Sequence, residues 1–413
     1  MSYLKAAIKE NALVLTTPKR NELLKEGPPS ESRRQILGRG AFGTVFKAVY
    51  RERPVAVKIM RNQNQSLHNE THVMHLKHNN IVSLIKVEST SEFALIIMER
   101  PIGQCLQRVL DTLTLPLAHR IFITLDILAA LRYCHHQNLL HLDVKPSNIL
   151  VALGINTNDI EQWCENYKRR YTCKLCDFGS SIRLGKTCAR QCSAKGTLRY
   201  MSPEALRSAP LTCASDIYSL GITMWQLQSR RLPYHTLQCN ESIAYQVVKH
   251  DLRPDDQAQL EALKLGSVFI NASPHTSCYC AGRAIDWDSN TMVILRNYIN
   301  DSESDDVPVH NLYKKVDVLA RRNLSFESKN DRASKPALAP GSNAGCRKQR
   351  RLTRFFDNPM STGSVRFENE YIELYKSCWT SEPDLRLNSL ELQTRLKHIL
   401  AKCVATDLNS EPI

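Results

Sequence analysis

The side chains that could carry out a reaction are concentrated in the segment H-L-D-V-K-P-S-N-I-L, which contains Asp143, Lys145 and Asn148. A hydroxyl group that accepts a phosphoryl group needs a carboxylate near its proton, and Asp143 is predicted to orient or accept that proton. Lys145 would neutralise the transferring phosphoryl group, and Asn148 would hold a magnesium ion. Asp177, in the later segment C-D-F-G, is predicted to be the second metal ligand, because amide and carboxylate oxygens suit Mg²⁺.

A glycine-rich segment, G-R-G-A-F-G-T-V, contains Gly38, Gly40 and Gly43. Glycine allows the backbone to approach phosphate oxygens closely. The pattern alone is a weak signal, because it also occurs in dinucleotide-binding sites and in ordinary turns. A dinucleotide site needs a helix directly after the glycines, whereas a strand-like run follows here. The sequence also lacks G-x-x-x-x-G-K-[ST], which excludes a Walker-type loop.

A lysine and a glutamate follow the glycine-rich segment. Lys58 ends the run V-A-V-K, and Glu70 lies in a predicted helix. Taken singly, each is more simply interpreted as a solvated surface residue. Together with the glycines, they match a lysine that contacts nucleotide phosphates and is held in place by a helix glutamate.

The elements that must position these side chains change type near Pro101. Before it, short runs rich in Val, Ile and Phe predict strands. After it, apolar residues recur with a period near 3.6, which predicts helices packed into a core. The predicted strands cover 43–49, 54–60, 81–87 and 93–98, and the predicted helices cover 66–76, 117–138, 216–227, 371–378 and 389–400. The sequence therefore predicts an α+β protein with a small antiparallel β-lobe containing one helix and a larger, mainly helical lobe.

Composition and pattern also predict the organisation of the chain. The segment 256–366 lacks periodicity and is predicted to be a disordered basic insertion in the larger lobe. The other predicted parts are a flexible leader at 1–30, one domain at 31–405 and a tail at 406–413. Within that domain, the small lobe is predicted at 31–99 and the larger lobe at 100–255 and 367–405.

The formal net charge of +14 suggests a nucleic-acid partner at first sight. Much of that charge lies in one segment whose composition does not suit a hydrophobic core. Residues 314–354 contain twelve Lys or Arg against three Asp or Glu. A nucleic-acid-binding protein would need its basic residues within folded elements, so nucleic acid is not expected as a partner.

Two compositional features bear on location. The sequence contains no apolar run long enough to span a membrane and no secretory signal, so no integral membrane association is expected. The fourteen cysteines are scattered without zinc-site spacing, which favours reduced thiols in a cytoplasmic protein.

With these motifs in place, residues 34–255 and 367–400 resemble a eukaryotic protein-kinase domain. Further segments, N-E-T-H-V-M-H-L-K-H-N-N-I-V, L-I-I-M-E and S-L-G-I-T-M-W-Q-L, resemble the Mos family of serine/threonine kinases. The resemblance implies a bilobal protein-kinase fold, ATP and Mg²⁺ as cofactors, and a protein substrate, expected to be a MAP kinase kinase. It also implies a role in oocyte meiosis, and the chain is expected to act as a monomer.

The resemblance also implies a set of site residues. The expected catalytic residues are Lys58, Glu70, Asp143 and Lys145, and the expected metal ligands are Asn148 and Asp177. The expected ATP-binding residues are Leu37, Gly38, Arg39, Gly40, Ala41, Phe42, Gly43, Thr44, Val45, Ala56, Lys58 and Glu99. Adenine is expected to bond to the backbone of residues 99–101, with Met98 at the back of its pocket.

The chain departs from the family pattern at Leu142, where most kinases have an arginine that binds a phosphate on the activation loop. We therefore expect no requirement for that phosphorylation. Glu204 is expected to pair with Arg386, because a buried carboxylate needs a cation. For Cys176, one hypothesis is a reactive thiol whose pKa Lys58 lowers, and the alternative is an inert buried thiol.

Three other classes of protein are possible. A pseudokinase scaffold keeps the fold but usually loses the lysine or one of the aspartates, whereas Lys58, Asp143 and Asp177 are all present. A basic nucleic-acid-binding protein is disfavoured by the position of the charge. A metabolic small-molecule kinase is disfavoured by the S-P-E segment and Asp216, which build a peptide-substrate platform.

Overall fold

The structure is a computed structural model. It describes residues 12–29, 35–40, 43–62, 65–153, 171–184, 196–237, 239–256, 279–280, 283–284 and 362–408. The prediction of a disordered insertion at 256–366 falls almost entirely outside the described residues, so it stays a prediction.

The small lobe is built on a six-stranded sheet with the order β1-β3-β4-β6-β5, and β2 also pairs with β3. The strands are β1 (Leu13–Val14), β2 (Ile36–Gly40), β3 (Gly43–Tyr50), β4 (Arg53–Arg61), β5 (Leu84–Ser89) and β6 (Phe93–Glu99). The β1–β3 pair is parallel, and the other pairs of this sheet are antiparallel. The strand predicted at 81–87 begins later, because Ile81 makes only an isolated bridge with Leu175.

The alternation of side chains along β4 explains where Lys58 lies. Val57 and Ile59 pack into the apolar cluster on one face of the sheet, whereas Met60 packs into the cluster that continues into the larger lobe. Successive side chains of a strand face opposite sides. Lys58 therefore lies on the face directed toward the larger lobe, as does Ala56.

The prediction of a flexible leader at 1–30 is wrong for residues 12–29. These residues contain β1 and helix α1 (Thr17–Glu26). Leu13, Leu15, Leu23 and Leu24 are buried against the sheet face that carries Val57. Each buried leucine contributes about 2 kcal/mol relative to an exposed one. The small lobe thus has a second helix, which the composition of the segment did not indicate.

Polar contacts also hold α1 in place. Arg20 Nε donates to Glu88 Oε2 at 2.9 Å, and Thr90 Oγ1 donates to Leu24 O at 2.8 Å. Gly27 ends the helix with φ +80°, and a Cβ atom there would lie 2.5 Å from the Phe93 ring. Only glycine fits both this backbone conformation and this close approach.

A second helix of the small lobe, α2 (Gln65–Thr71), lies between β4 and β5. It is shorter than the predicted helix at 66–76, because turns replace helical hydrogen bonding after Thr71. Val73 and Leu76 in those turns are still buried, so the apolar period continues past the helix end.

The larger lobe is mainly helical. Its helices are α3 (Leu106–Thr112), α4 (Leu117–His136), α5 (Pro203–Leu206), α6 (Cys213–Ser229), α7 (Asn240–Lys249), α8 (Thr362–Cys378) and α9 (Ser389–Leu408). The helix predicted at 216–227 begins earlier, at Cys213, because the Thr212 side chain accepts a hydrogen bond from the Ala214 N–H at 3.3 Å. A Cβ atom on Gly221 would lie 2.8 Å from Cys378 Cβ, so glycine lets α6 and α8 pack closely.

The segments between these helices contain short strands. They are β7 (Gly103–Cys105), β8 (Leu139–Leu140), β9 (Ile149–Leu153), β10 (Tyr171–Leu175), β11 (Ile182–Arg183), β12 (Tyr279–Cys280) and β13 (Arg283–Ala284). The pairing orders are β10-β9-β7, β11-β8 and β12-β13, all antiparallel. The predicted α+β architecture with a small β-lobe and a larger helical lobe is confirmed. None of the helices in the described ranges combines the length and apolar character needed to cross a membrane.

Candidate active site

Lys58 lies between two carboxylates from different parts of the chain. Its Nζ is 2.6 Å from Glu70 Oε1 on α2 and 2.8 Å from Asp177 Oδ1, which follows β10. Burial alone would lower the pKa of Lys58, but the two carboxylates raise it, so the lysine is a cation. Burial would raise the pKa of Asp177, and the Lys58 cation outweighs it and holds that pKa below its usual range. The sequence left open whether Lys58 and Glu70 pair, and the structure brings them together.

The segment around Asp177 contacts both α2 and the segment that contains Asp143. Asn69 Nδ2 donates to Gly179 O at 2.8 Å, which ties α2 to this segment. Phe178 is buried, and its ring meets the His141 ring edge-on with centroids 4.8 Å apart. Phe178 and Gly179, the two residues after Asp177, are fixed in this way. Asp177 is therefore held next to Lys58.

The Asp143 carboxylate has hydrogen-bond donors on both oxygens. Thr197 N donates to Oδ1 at 2.9 Å, while Lys145 Nζ and Asn148 Nδ2 each donate to Oδ2 at 2.7 Å. Lys145 Nζ also donates to Thr197 Oγ1. These three donors hold the carboxylate in one fixed orientation. Asp143, Lys145 and Asn148 therefore form one network.

Thr197 reaches this network because Gly196 precedes it. Gly196 has φ +122°, and a Cβ atom there would lie 2.4 Å from Leu142 O. Any other residue would push the two segments apart. Thr197 was not among the predicted site residues, although it lies shortly before the S-P-E segment that the sequence analysis singled out.

Below this network, Asp216 holds the backbone of the segment that contains Asp143. Asp216 is fully buried, and its Oδ2 and Oδ1 accept hydrogen bonds from the N–H groups of His141 at 3.0 Å and Leu142 at 2.8 Å. His135 Nε2 lies 2.8 Å from Asp216 Oδ2. Leu142 has φ +61°, a conformation that costs energy for a leucine, so the two backbone hydrogen bonds help to maintain it.

The His135–Asp216 pair predicts how stability changes with pH. Burial would lower the pKa of His135, but hydrogen bonds with Asp216 and Cys213 raise it to about 9. A histidine whose pKa is higher in the folded state stabilises the fold fully below about pH 6.5, and this stabilisation is lost as the pH rises through about 9. We expect the free energy of unfolding to fall by roughly 3 kcal/mol over this range. Urea unfolding at pH steps from 6 to 10 measures it.

The control for this prediction is His135→Gln, which keeps a hydrogen-bond donor near Asp216 without a group that titrates in this range. The variant should lack the alkaline loss of stability that the unmodified chain shows. Equal pH profiles for the two proteins would contradict the role of His135.

The predicted metal ligands offer oxygen atoms. Asn148 Nδ2 donates to Asp143 O at 2.9 Å as well as to Oδ2, so its side-chain oxygen is the atom left for a cation. With the Asp177 carboxylate, this donor set suits Mg²⁺, which binds to one or two protein oxygens and to substrate phosphates. The described residues contain no group of three or more His, Cys, Asp or Glu that could hold a metal alone. The phosphates would therefore supply the remaining ligands.

The other predicted ATP-binding residues lie mainly on the first strands of the small lobe. β2 carries Leu37, Gly38, Arg39 and Gly40, β3 begins with Gly43, Thr44 and Val45, and β4 carries Ala56. Ala41 and Phe42 lie outside the described residues. A Cβ atom on Gly43 would lie 2.5 Å from Ile59 O of β4, so glycine is needed at the start of β3. Leu37 to Gly40 are exposed and present an open surface to a ligand.

The connection between the lobes carries the expected adenine contacts. Met98 is half-buried and pairs with Ala56 across β4 and β6. The Glu99 N–H donates to Ser83 O at 3.0 Å, and Pro101 has no N–H. Adenine is still expected to bond to residues 99–101. Within that stretch, Glu99 and Pro101 can offer it carbonyl oxygens but not N–H groups.

The hypothesis of a reactive Cys176 is not supported. Burial and the adjacent Asp177 raise the pKa of this thiol to about 12, and Lys58 only partly opposes them. Its Sγ donates to Asn148 O at 3.2 Å. An inert thiol, the alternative considered from the sequence, agrees with this environment.

The predicted pair between Glu204 and Arg386 is confirmed. Arg386 Nη1 and Nη2 donate to Glu204 Oε1 and Oε2, each at 2.7 Å, and both side chains are buried. Burial would raise the pKa of Glu204, but Arg386 holds it below its usual range. The pair joins α5 to the segment before α9.

Comparison with known proteins places this geometry in a family. Residues 32–399 match the family model described as "Protein kinase domain". The chain is 35% identical over 236 residues to the serine/threonine-protein kinase mos of Patiria pectinifera. It is 33% identical over 244 residues to the proto-oncogene serine/threonine-protein kinase mos of Mus musculus and to the transforming protein mos of Moloney murine sarcoma virus strain HT-1.

These alignments are partial. Each covers 53% of this chain, and they cover 62%, 66% and 60% of the three relatives in the same order. The chain thus spans less than two thirds of the length of each of these three relatives.

Proposed function

This chain belongs to the protein kinase family, and from that membership we propose that it transfers the γ-phosphate of ATP to serine and threonine hydroxyls of proteins. The observation that carries the proposal is the set of contacts around Asp143, which joins Lys145, Asn148 and Thr197. Lys58, paired with Glu70 and Asp177, supplies the cation for the nucleotide phosphates.

Each residue of the site has a distinct role in this proposal. Asp143 orients the hydroxyl of the substrate and accepts its proton, because its carboxylate is held in one orientation by three donors. Lys145 is 2.7 Å from Asp143 and neutralises charge on the transferring phosphoryl group. Asn148 and Asp177 hold Mg²⁺, which when bound shields the charge of the phosphates. Assignment of these roles follows the general scheme for kinases, and the contacts are those of this chain.

We further propose that the protein substrate is a MAP kinase kinase and that the chain acts in oocyte meiosis in the cytoplasm. Support for the substrate and the process comes from the similarity to mos kinases and from the local segments quoted above. Support for the cytoplasm comes from the cysteines, since eight in the described ranges are free thiols.

The test is transfer of labelled γ-phosphate from ATP to a catalytically inactive MAP kinase kinase, with magnesium and with a chelator. We expect phosphoserine or phosphothreonine on that substrate only when magnesium is present. Labelling of a generic protein but not of the MAP kinase kinase would contradict the proposed substrate. ATP binding without transfer to any protein would contradict the enzyme and favour the pseudokinase alternative.

The same assay tests the role of Leu142. This residue is buried and apolar, so it offers no charge to a phosphate on the activation segment. We therefore expect phosphatase treatment, followed by removal of the phosphatase, to leave at least half of the activity. A large loss would contradict this expectation.

A further inference from the structure

Two segments that carry arginine meet next to the candidate active site. The first is 196–201, which contains Arg199, and the second is the loop 230–237, which begins with Arg230 and Arg231. The Arg199 guanidinium donates to three carbonyl oxygens of this loop, at 2.8, 2.9 and 2.9 Å. We call the surface formed by these three side chains the arginine surface. None of the three has a role in the phosphoryl transfer described above.

The arginine surface lies within reach of a peptide that is bound at Asp143. Thr197 N donates to Asp143 Oδ1 at 2.9 Å, and Arg199 follows Thr197 by two residues. Two residues of extended chain span at most about 7 Å. Tyr200 ties the same segment to α6, because its hydroxyl donates to Gln226 Oε1 at 2.6 Å. A substrate whose hydroxyl lies at Asp143 therefore has residues only a few positions away that can meet the arginine surface.

Neutral partners leave the positive charge of these arginines without compensation. Arg199 donates to carbonyl oxygens, and Arg230 donates to Leu110 O at 2.9 Å and to Thr114 Oγ1 at 2.8 Å. Neither of the two segments contains an Asp or a Glu. Helix α3, which Arg230 contacts, carries one arginine and one aspartate and so adds no net charge. The surface is therefore cationic.

Burial adds to the demand for an anion at Arg199. This residue is half-buried, and the loss of water around its guanidinium lowers its pKa from the ordinary value. The buried Arg386, by contrast, is matched by the Glu204 carboxylate at 2.7 Å. A cation that has lost water without gaining an anion is stabilised when a carboxylate from another molecule approaches it.

We propose that the arginine surface selects protein substrates in which Asp or Glu lies a few residues from the hydroxyl that is phosphorylated. This inference rests on the proposed kinase function and names a class of substrate for the same site. Substrate carboxylates pair with Arg230 and Arg231, which are exposed, and the charge of Arg199 adds to theirs. Lysine or arginine at the same substrate positions meets like charge and is disfavoured.

The first measurement is peptide binding, which does not require phosphoryl transfer. Fluorescein-labelled peptides of one length share a central serine, and their other residues are alanine, glutamate or lysine, placed before the serine in one set and after it in another. Fluorescence anisotropy with the full chain at low salt should give a Kd about three- to tenfold lower for glutamate than for alanine in at least one set. Lysine should give the highest Kd. The preference should shrink at about 0.5 M KCl, because salt screens exposed charges.

Equal Kd values for the glutamate and lysine peptides in both sets would overturn the proposal, whether or not the chain proves to be a kinase. Tighter binding of the lysine peptides would overturn it as well.

Charge reversal tests whether the arginine surface itself makes the selection. Arg231 is exposed, so Arg231→Glu should keep the fold, which circular dichroism checks. The variant should lose most of the glutamate preference and bind the lysine peptide more tightly than the unmodified chain does. Arg395→Glu, the same change at an exposed position on α9, is the matched control and should keep the preference. If Arg231→Glu and Arg230→Gln both kept the full preference, the selection would not arise at this surface.

Transfer of labelled γ-phosphate to the same peptides separates this inference from the proposed function. We expect kcat/KM to fall in the order glutamate, alanine, lysine, mainly through KM, because the charges bind the peptide before as well as during transfer. Equal transfer to all peptides, or fastest transfer to lysine peptides, would overturn the acidic preference and leave the kinase function intact. Transfer to no peptide and to no protein, with the glutamate preference in binding unchanged, would contradict the kinase function and leave the acidic preference standing.

Discussion

Replacing Asp143 with asparagine is expected to lower the rate of phosphoryl transfer by about 100-fold or more. Asparagine keeps the size of the side chain, but its amide nitrogen cannot accept a hydrogen bond from Lys145 or Asn148, which both donate to Asp143 Oδ2 at 2.7 Å. It also cannot take the proton of the substrate hydroxyl. Initial rates with labelled ATP measure the loss, and calorimetric titration of nucleotide should show that binding is little changed.

The matched control is Asp111→Asn, the same chemical change on the exposed face of α3. There the aspartate accepts one hydrogen bond from Gln107 Nε2 at 2.9 Å, which the asparagine oxygen can also accept. Activity of this variant should equal that of the unmodified chain. If Asp143→Asn retained more than half of the activity, Asp143 could not be the residue that handles the hydroxyl proton.

Arg386→Ala is expected to lower the free energy of unfolding by about 3 to 5 kcal/mol. Breaking a buried ion pair from one side leaves the partner charge without compensation, and Glu204 is only 5% exposed. The guanidinium also donates to Thr380 O at 2.9 Å and to Ala214 O at 3.0 Å, so several segments lose a contact together. Urea unfolding monitored by tryptophan fluorescence gives the change.

Arg395→Ala provides the comparison for this prediction. Arg395 pairs with Glu391 one turn earlier on α9, and both side chains are exposed, with relative exposures of 53% and 42%. Exposed pairs of this kind contribute about 0.5 kcal/mol or less. A loss below 1 kcal/mol for Arg386→Ala, or equal losses for both variants, would show that the buried pair does not hold the larger lobe together.

The sequence singled out the side chains whose proposed chemistry requires particular residue types. Asp143, Lys145 and Asn148 were proposed together because they are close in the chain and because a hydroxyl, a phosphoryl group and a metal would each need one of them, and the structure places the three in one network. Glu204 and Arg386 were also paired correctly, although they are far apart, because a buried carboxylate needs a cation. The bilobal architecture followed from the change of apolar period near Pro101.

Other contacts could not be predicted, because they depend on where segments meet. Thr197 reaches Asp143 only because Gly196 allows a close approach to Leu142, and the sequence does not show that distance. His135 reaches Asp216 from a different helix, and no motif around His135 indicates that contact. The ordered structure of residues 12–29 was not predicted, because their leucines have no regular period that would indicate packing against a sheet.

Helix α1 covers one face of the small-lobe sheet, and this affects where a recombinant form of the domain should begin. The family match starts at residue 32, whereas four of the buried leucines come earlier in the chain. A recombinant protein cut at the family boundary would expose an apolar face containing Phe46, Val57 and Leu95 to water. Such faces cause aggregation. Expression and crystallisation trials should therefore start no later than residue 12, and purification tags belong ahead of that point.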